Sequence, residues 1–313
     1  MRVLPLTRLP VAAVLVTVVI VNGCAGRIDP IEVATVPAPE VNLPLRPDSA
    51  RFAVIGDTGT GGSAQYRIAA RLAAAHTKFP FEFVVMTGDN LYGSEGPRDY
   101  RTKFEVPYKP LLDAGVKFYA SLGNHDDPNQ TLYKPFNMDG KRFYTFKPKA
   151  DLRFFALDST YMSPEQLEWL DKELSASGSD WKIAFFHHPL YSEGRHGSDL
   201  RLREVLEPLF VKHSVDVVFV GHEHFYERLK PQKGIQYFTS GGAAKLRRGD
   251  IDRGAPIHAE GFDDGYHFML VEIVGDEMHF QVITDRGETV DAGVVQRRRD
   301  QSPAARSLQG ARS

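Results

Sequence analysis

Disulfides are the first thing this chain does without. Its 313 residues include one cysteine, Cys24, which cannot pair within the chain. Stability must therefore come from a hydrophobic core, for which 42% apolar residues are ample material. A net field is missing too: 38 Lys and Arg stand against 40 Asp and Glu. Nothing in that balance marks a nucleic-acid or strongly acidic partner, and no nucleic acid is expected. Long apolar runs are scarce, and Val11 to Val21 is shorter than the roughly 20 residues that a bilayer span needs. There is no internal repeat. The stretch Gly59-Thr60-Gly61-Gly62-Ser63-Ala64 imitates a dinucleotide-binding turn. However, no acidic residue ends the next strand about 20 positions on, and there is no P-loop lysine, so a nucleotide-binding domain is set aside.

The termini are informative. Arg2 and Arg8 flank the apolar run, which breaks at Asn22-Gly23-Cys24-Ala25-Gly26. These are the parts of a secretory signal, so residues 1–23 are expected to be a leader and the protein to be exported, to a periplasm or cell surface. Val21-Asn22-Gly23-Cys24 resembles a bacterial lipobox, which implies cleavage before Cys24, its acylation and attachment to a membrane through the lipid. Residues 24–49 carry Pro30, Pro37, Pro39, Pro44 and Pro47 without periodicity and read as an extended tether. Residues 296–313, with Arg297-Arg298-Arg299, read as a disordered basic tail.

Between them, over 50–295, strand and helix patterns alternate. Strands are expected at 51–55, 81–86, 116–122, 152–157, 181–186 and 215–220, and helices at 64–76, 98–112 and 198–213. Ser163-Pro164-Glu165-Gln166 opens a further helix with an N-cap serine, a first-turn proline and a capping-box glutamine. From Ile235 onward only strands are expected, with hairpin turns at Gly275-Asp276 and Arg286-Gly287. Alternation followed by strands argues for an α/β fold with a largely parallel core.

Chemistry gathers where those strands end. Ile55 runs into Gly56-Asp57-Thr58-Gly59, and Met86 leads to Gly88-Asp89-Asn90-Leu91-Tyr92. Leu122 runs into Gly123-Asn124-His125-Asp126. Phe186 runs into His187-His188-Pro189, with His196 nine residues after His187, and Val220 into Gly221-His222-Glu223-His224. Six of the 11 histidines lie in these segments. An aspartate after a strand is often only a turn former or helix cap, and a lone tyrosine is often packing. Five polar strand ends in this order point to a two-metal site centred on Asp89, because an unpaired buried carboxylate is too costly to keep.

This series of motifs resembles the calcineurin-like metallophosphoesterases over about residues 51–285, and more closely their purple acid phosphatase branch. The superfamily's first motif is Asp-x-His, with both residues on the first metal, but here the residue two after Asp57 is Gly59. The purple acid phosphatases fill that gap with a tyrosine three residues past the bridging aspartate, where Tyr92 stands. His196 and Tyr226-Glu227-Arg228 also fit the branch. The resemblance implies a sandwich of two mixed β-sheets flanked by helices. It places Asp57, Tyr92 and His224 on the first metal and Asn124, His187 and His222 on the second, with Asp89 bridging. His188 competes with His187 for that role, and the spacing to Pro189 favours His187.

The function implied is hydrolysis of phosphomonoesters by a metal-bound hydroxide. His125 and His196 would face the substrate, stabilising phosphoryl charge and helping to protonate the leaving alkoxide, with Asp126 fixing the tautomer of His125. A Tyr92 phenolate, with a pKa near 10 in water, calls for a strong Lewis acid, which favours iron(III) at the first site. The second ion would be divalent iron, zinc or manganese. Asp158, after the fourth strand, reads as a turn or supporting residue. Lys245, Arg247 and Arg248 fit an anionic substrate or a solvated loop equally well. A phosphodiesterase or nucleotidase on the same metals is the alternative, while the complete ligand set argues against a non-catalytic surface lipoprotein.

Overall fold

The apolar runs pair into two sheets. The computed structural model describes residues 36–178 and 180–298. The chain runs β1 (Ala50–Ile55), α1 (Ser63–His76), β2 (Phe83–Met86), α2 (Pro97–Tyr100), α3 (Lys109–Asp113) and β3 (Lys117–Ala120). It continues as β4 (Tyr144–Lys149), β5 (Leu152–Ala156), α4 (Pro164–Ser175), β6 (Trp181–Phe185), α5 (Leu200–Lys212) and β7 (Val217–Val220). The remaining strands are β8 (Tyr226–Leu229), β9 (Gln236–Ser240), β10 (His258–Phe262), β11 (His267–Val274), β12 (Glu277–Thr284) and β13 (Thr289–Gln296).

One sheet has the order β13-β12-β11-β1-β2-β3 and the other β10-β8-β9-β7-β6-β5-β4. Strands β1, β2 and β3 are mutually parallel, as are β5, β6, β7 and β9, and the flanking strands are antiparallel. Both sheets are therefore mixed, in the expected α/β sandwich. The parallel blocks matter most, because parallel neighbours deliver their C-terminal ends, and the loops beyond, to one rim of a sheet.

Aromatic rings join the sheets. Phe52 of β1 and Phe83 of β2 stack at 5.2 Å, and Phe154 of β5 meets them edge-on at 5.2 and 5.4 Å. Such pairs add about 0.5–1.5 kcal/mol each to the burial itself. A second apolar cluster forms where Leu170 and Leu174 of α4 and Leu202, Leu206 and Phe210 of α5 cover Phe155, Ala184 and Val218.

Several local expectations need correcting. The helix expected over 98–112 is broken into α2, a π-turn at Arg101–Glu105, and α3. Pro107 and Pro110 lack the N–H groups that a continuous helix would use. Ser163 caps α4 by accepting from Gln166 N at 3.2 Å, but the Gln166 amide turns to the Asp158 backbone instead of closing a capping box. Strands β4 and β8 were not foreseen. Residues 36–49 do not hang free: Leu45 N and Arg46 N donate to Glu272 at 2.7 and 2.6 Å, Asn42 N donates to Gln281 at 2.8 Å, and Leu43 is buried. At the other end Arg297 N donates to Asp276 O and Arg298 N to Asp216 Oδ1. The leader, Cys24 and residues 299–313 lie outside the described residues. Among the described residues no helix is long and apolar enough to cross a membrane.

Candidate metal centre

The pairing of β1 with β2 does not stop where the strands do. Past Ile55 and Met86 the two loops stay zipped together. Asp57 N donates to Gly88 O at 3.1 Å, Thr58 N to Asp89 O at 3.2 Å and Tyr92 N to Gly59 O at 2.9 Å. To make this turn, Asp57 and Asp89 take left-handed backbones, with φ of 56° and 51°; His222 does the same at 68°. Asp, Asn and His tolerate that region better than most residues, at some cost in strain. Gly59 is fixed for a different reason: a Cβ there would lie 1.8 Å from Asn90 O. A histidine cannot occupy that position while the loops are zipped. The absence of Asp-x-His and the presence of Tyr92 are thus one steric fact, since the backbone leading to Tyr92 fills the space of a side chain at 59.

Seven side chains converge in two groups. Around Asp57 Oδ1 lie the Tyr92 hydroxyl at 2.9 Å and His224 Nε2 at 3.3 Å. Around His187 Nε2 lie Asn124 Oδ1 at 3.1 Å, His222 Nδ1 at 3.2 Å and Asp89 Oδ1 at 3.3 Å. The ligand atoms of Asp57, Asp89 and His187 lie within 4.8 Å of one another, so Asp89 stands between the groups. The structure thus brings together the seven residues that the resemblance groups around two metals.

The donor chemistry fits cations. His187 Nδ1 lies 3.0 Å from Thr87 O, and a carbonyl can only accept, so Nδ1 carries the proton and Nε2 a lone pair. That lone pair faces oxygens of Asn124 and Asp89, an arrangement that repels unless a positive ion lies among them. The ionisation behaviour agrees. Burial, then Asp89, pushes the Asp57 carboxyl well above its usual range. Burial, then Asp57 and Asp89, raises the Tyr92 phenol. Burial lowers His187, brings His222 to about 2 and, with Arg247 next in weight, brings His224 to about 3. The histidines thus offer neutral nitrogens, and Asp57 and Tyr92 ionise together only against added positive charge.

The two expected substrate-facing histidines stand on different sides of this cluster. His196 is partly exposed, its ring 4.7 Å from that of His222, with Arg247 Nη1 2.6 Å from its Nε2 and Glu223 Oε2 3.4 Å from its Nδ1. Burial, then Arg247, lowers its pKa. His125 is exposed, its ring 4.9 Å from that of Tyr92, and its backbone N donates to Asp89 Oδ1 at 3.0 Å. Asp126 is employed differently from the expectation. Its carboxylate accepts from Gly123 N, Leu91 N, Asn90 and Gln130, and none of these partners is the His125 ring. It organises the loop that carries Asn124 and His125. Asp158 is the supporting residue expected, accepting from Thr160 N and Tyr161 N and pairing with Arg142 at 2.6 Å. The basic loop divides: Lys245 Nζ lies 4.0 Å over the Tyr92 ring, Arg247 sits on His196, and Arg248 reaches outward to Asp264. Sequence reasoning missed Glu223, fully buried between His222 and His224 with Oε2 facing His196 and Arg247, and Ser159, which holds the His187 loop.

Comparison with known proteins identifies relatives of this chain. The calcineurin-like phosphoesterase family model matches residues 50–226. Purple acid phosphatase 17 of Arabidopsis thaliana is 30% identical over 240 residues, covering 65% of this chain and 71% of that protein. Tartrate-resistant acid phosphatase type 5 of Homo sapiens is 26% identical over 288 residues, covering 77% and 89%. Among solved structures, the purple acid phosphatase PPD1 from yellow lupin seeds (Lupinus luteus) shares the fold with a TM-score of 0.68 at 17% identity, covering 80% of this chain and 54% of that one. GAP50, the anchor in the inner membrane complex of Plasmodium, has a TM-score of 0.71 at 18% identity, covering 84% and 94%.

Proposed function

The chain belongs to the calcineurin-like phosphoesterase family, with purple acid phosphatases among its relatives, and from that premise we propose the residue roles of a phosphomonoesterase. The enzyme is a binuclear-metal phosphoesterase. Asp57, Tyr92 and His224 would hold one ion and Asn124, His187 and His222 the other, with Asp89 shared between them. The observation that carries this reading is the convergence of lone pairs on His187 Nε2, with Asn124 Oδ1 at 3.1 Å and Asp89 Oδ1 at 3.3 Å.

Two cations in such a site supply Lewis acidity, activating water and compensating phosphoryl charge. The chain's own residues do the rest. Thr87 O fixes the His187 ring through Nδ1. Asp126 shapes the loop bearing Asn124 and His125. His196 stands beside the Arg247 guanidinium at the rim of the cluster, where protonation of a leaving alkoxide would be its part. His125, across the cluster, suits contact with phosphoryl oxygens, and Arg247 and Lys245 add positive charge at the mouth.

For the first ion we favour iron(III). Tyr92 is buried between two carboxylates that oppose its ionisation, and a trivalent ion counters that best. The partner is divalent iron, zinc or manganese. Export, and a lipid on Cys24, are proposed from the leader pattern and the sole cysteine. Metal analysis of the purified protein, with turnover of a phosphomonoester and a phosphodiester, tests the core reading. Two ions per chain and faster monoester hydrolysis are expected; a metal-replete protein inert toward both esters would refute it.

A further inference from the structure

Two clefts flank the seven-residue cluster, and their linings differ. The cleft of about 390 Å³ beside His125 is walled by Glu95, Asp126 and Asp127. The other, of about 320 Å³, is lined by His188, His196, His222, Ser198, Asp199 and Arg201. Among the described residues no carboxylate pairs with Arg201. The one carboxylate in that wall, Asp199, is turned to its own helix, where Oδ1 accepts from Arg201 N at 3.1 Å and Leu202 N at 3.0 Å.

His188 is the informative group. Its Nδ1 lies 2.9 Å from Ser159 Oγ, and the same oxygen accepts from His187 N at 3.2 Å and His188 N at 3.0 Å. A hydroxyl oxygen has two lone pairs and one hydrogen. With both lone pairs used, its hydrogen goes to His188 Nδ1, which is therefore bare, so the ring proton sits on Nε2. Nε2 has no hydrogen-bond partner among the described residues, and the ring lines the cleft. Ring nitrogens of His187, His188 and His222 lie within 4.8 Å of one another, and a protonated Nε2 adds a donor to that group where a bare one would add a ligand.

We propose that this cleft is the leaving-group subsite, with His188 Nε2–H and Arg201 selecting phosphate esters whose leaving group carries a second anion, a carboxylate or another phosphate. This rests on the phosphatase reading above. The cleft beside His125 carries Glu95, Asp126 and Asp127 and no cation, so it offers such a substituent no partner.

Matched substrates test it: glycerol 3-phosphate against 3-phosphoglycerate, and fructose 1-phosphate against fructose 1,6-bisphosphate. The doubly anionic members should lead by about tenfold in kcat/KM, carried by KM, and the two pairs separate carboxylate from phosphate. Arg201→Ala and His188→Leu should bring the ratio toward one. On the metal-free protein, nitrogen-15 NMR should show His188 as the Nε2–H tautomer, and Ser159→Ala should mix the tautomers. No turnover of any ester sinks the phosphatase reading and the subsite together. Turnover without preference, or His188 protonated on Nδ1, overturns the subsite alone.

Discussion

Gly59→Ala adds one methyl group and should disable the enzyme. Gly59 does not have a positive φ, so alanine meets no backbone penalty there. The obstacle is contact: the new Cβ would lie 1.8 Å from Asn90 O and 2.5 Å from Leu91 Cα. Ordinary contact begins near 3.4 Å, so the second loop must retreat by about 1.6 Å, far more than an off-rotamer side chain absorbs. That retreat breaks the Tyr92 N to Gly59 O bond, carries the phenol away from Asp57 and disturbs Asp89 between the two ion positions. Overpacking of this kind costs about 1–3 kcal/mol of stability. Displacement of reacting groups by about 1 Å costs on the order of 10²-fold in rate. Metal content, thermal melting and kcat/KM measured on one preparation separate these effects. A folded Gly59→Ala protein with two ions and a wild-type rate would show that the loops are not interlocked as described. Gly59→His combined with Tyr92→Phe should also fail, because the space for a ligand at 59 is already filled.

Two further outcomes follow from the same geometry, and a third from the leader pattern. His125→Ala and His196→Ala should keep both ions and lose roughly 10²–10⁴ in rate, whereas Asp89→Ala should lose metal; a metal-free His125→Ala protein would overturn that division. The purified protein should be violet to pink from tyrosinate-to-iron(III) charge transfer, and Tyr92→Phe should abolish the band while the fold survives; a band that persists removes Tyr92 from the iron. Cys24→Ser should release the protein from the membrane fraction, and an unmodified Cys24 in the intact mass of the mature protein would end the lipid proposal.

The site was more legible than the surfaces around it. The candidate ligands follow strands that are wholly buried in β2, β6 and β7 and mostly apolar in β1 and β3, and an apolar run ending in polar or charged groups is readable without knowing any neighbour. The misread stretches depend on distant partners. Residues 36–49 looked like a free tether because the Glu272 carboxylate that receives Leu45 N and Arg46 N lies more than two hundred positions away. Strand β4 carries Lys147, Pro148 and Lys149, and β8 carries Glu227 and Arg228, so neither shows the apolar pattern that betrays a strand. Asp126 was given to His125 because the two are adjacent, while its actual partners come from the neighbouring loop. Arg247 and Lys245 were ambiguous because only the folded loop decides which cation meets which ring.

The origin of the ligands has a mechanical consequence. Asp57, Asp89, Tyr92 and Asn124 are carried by loops of the first sheet, and His187, His222 and His224 by loops of the second. Ions held by both sets would act as a clasp across the sandwich, tying positions 57 and 224 in a chain with no internal disulfide. Cross-linking a loop well over 100 residues long limits the unfolded chain by about 5 kcal/mol in the chain-entropy account. Chelation should therefore lower the melting temperature as reduction does in a bridged protein, with the seam between the sheets opening first at the rim where the clasp sits.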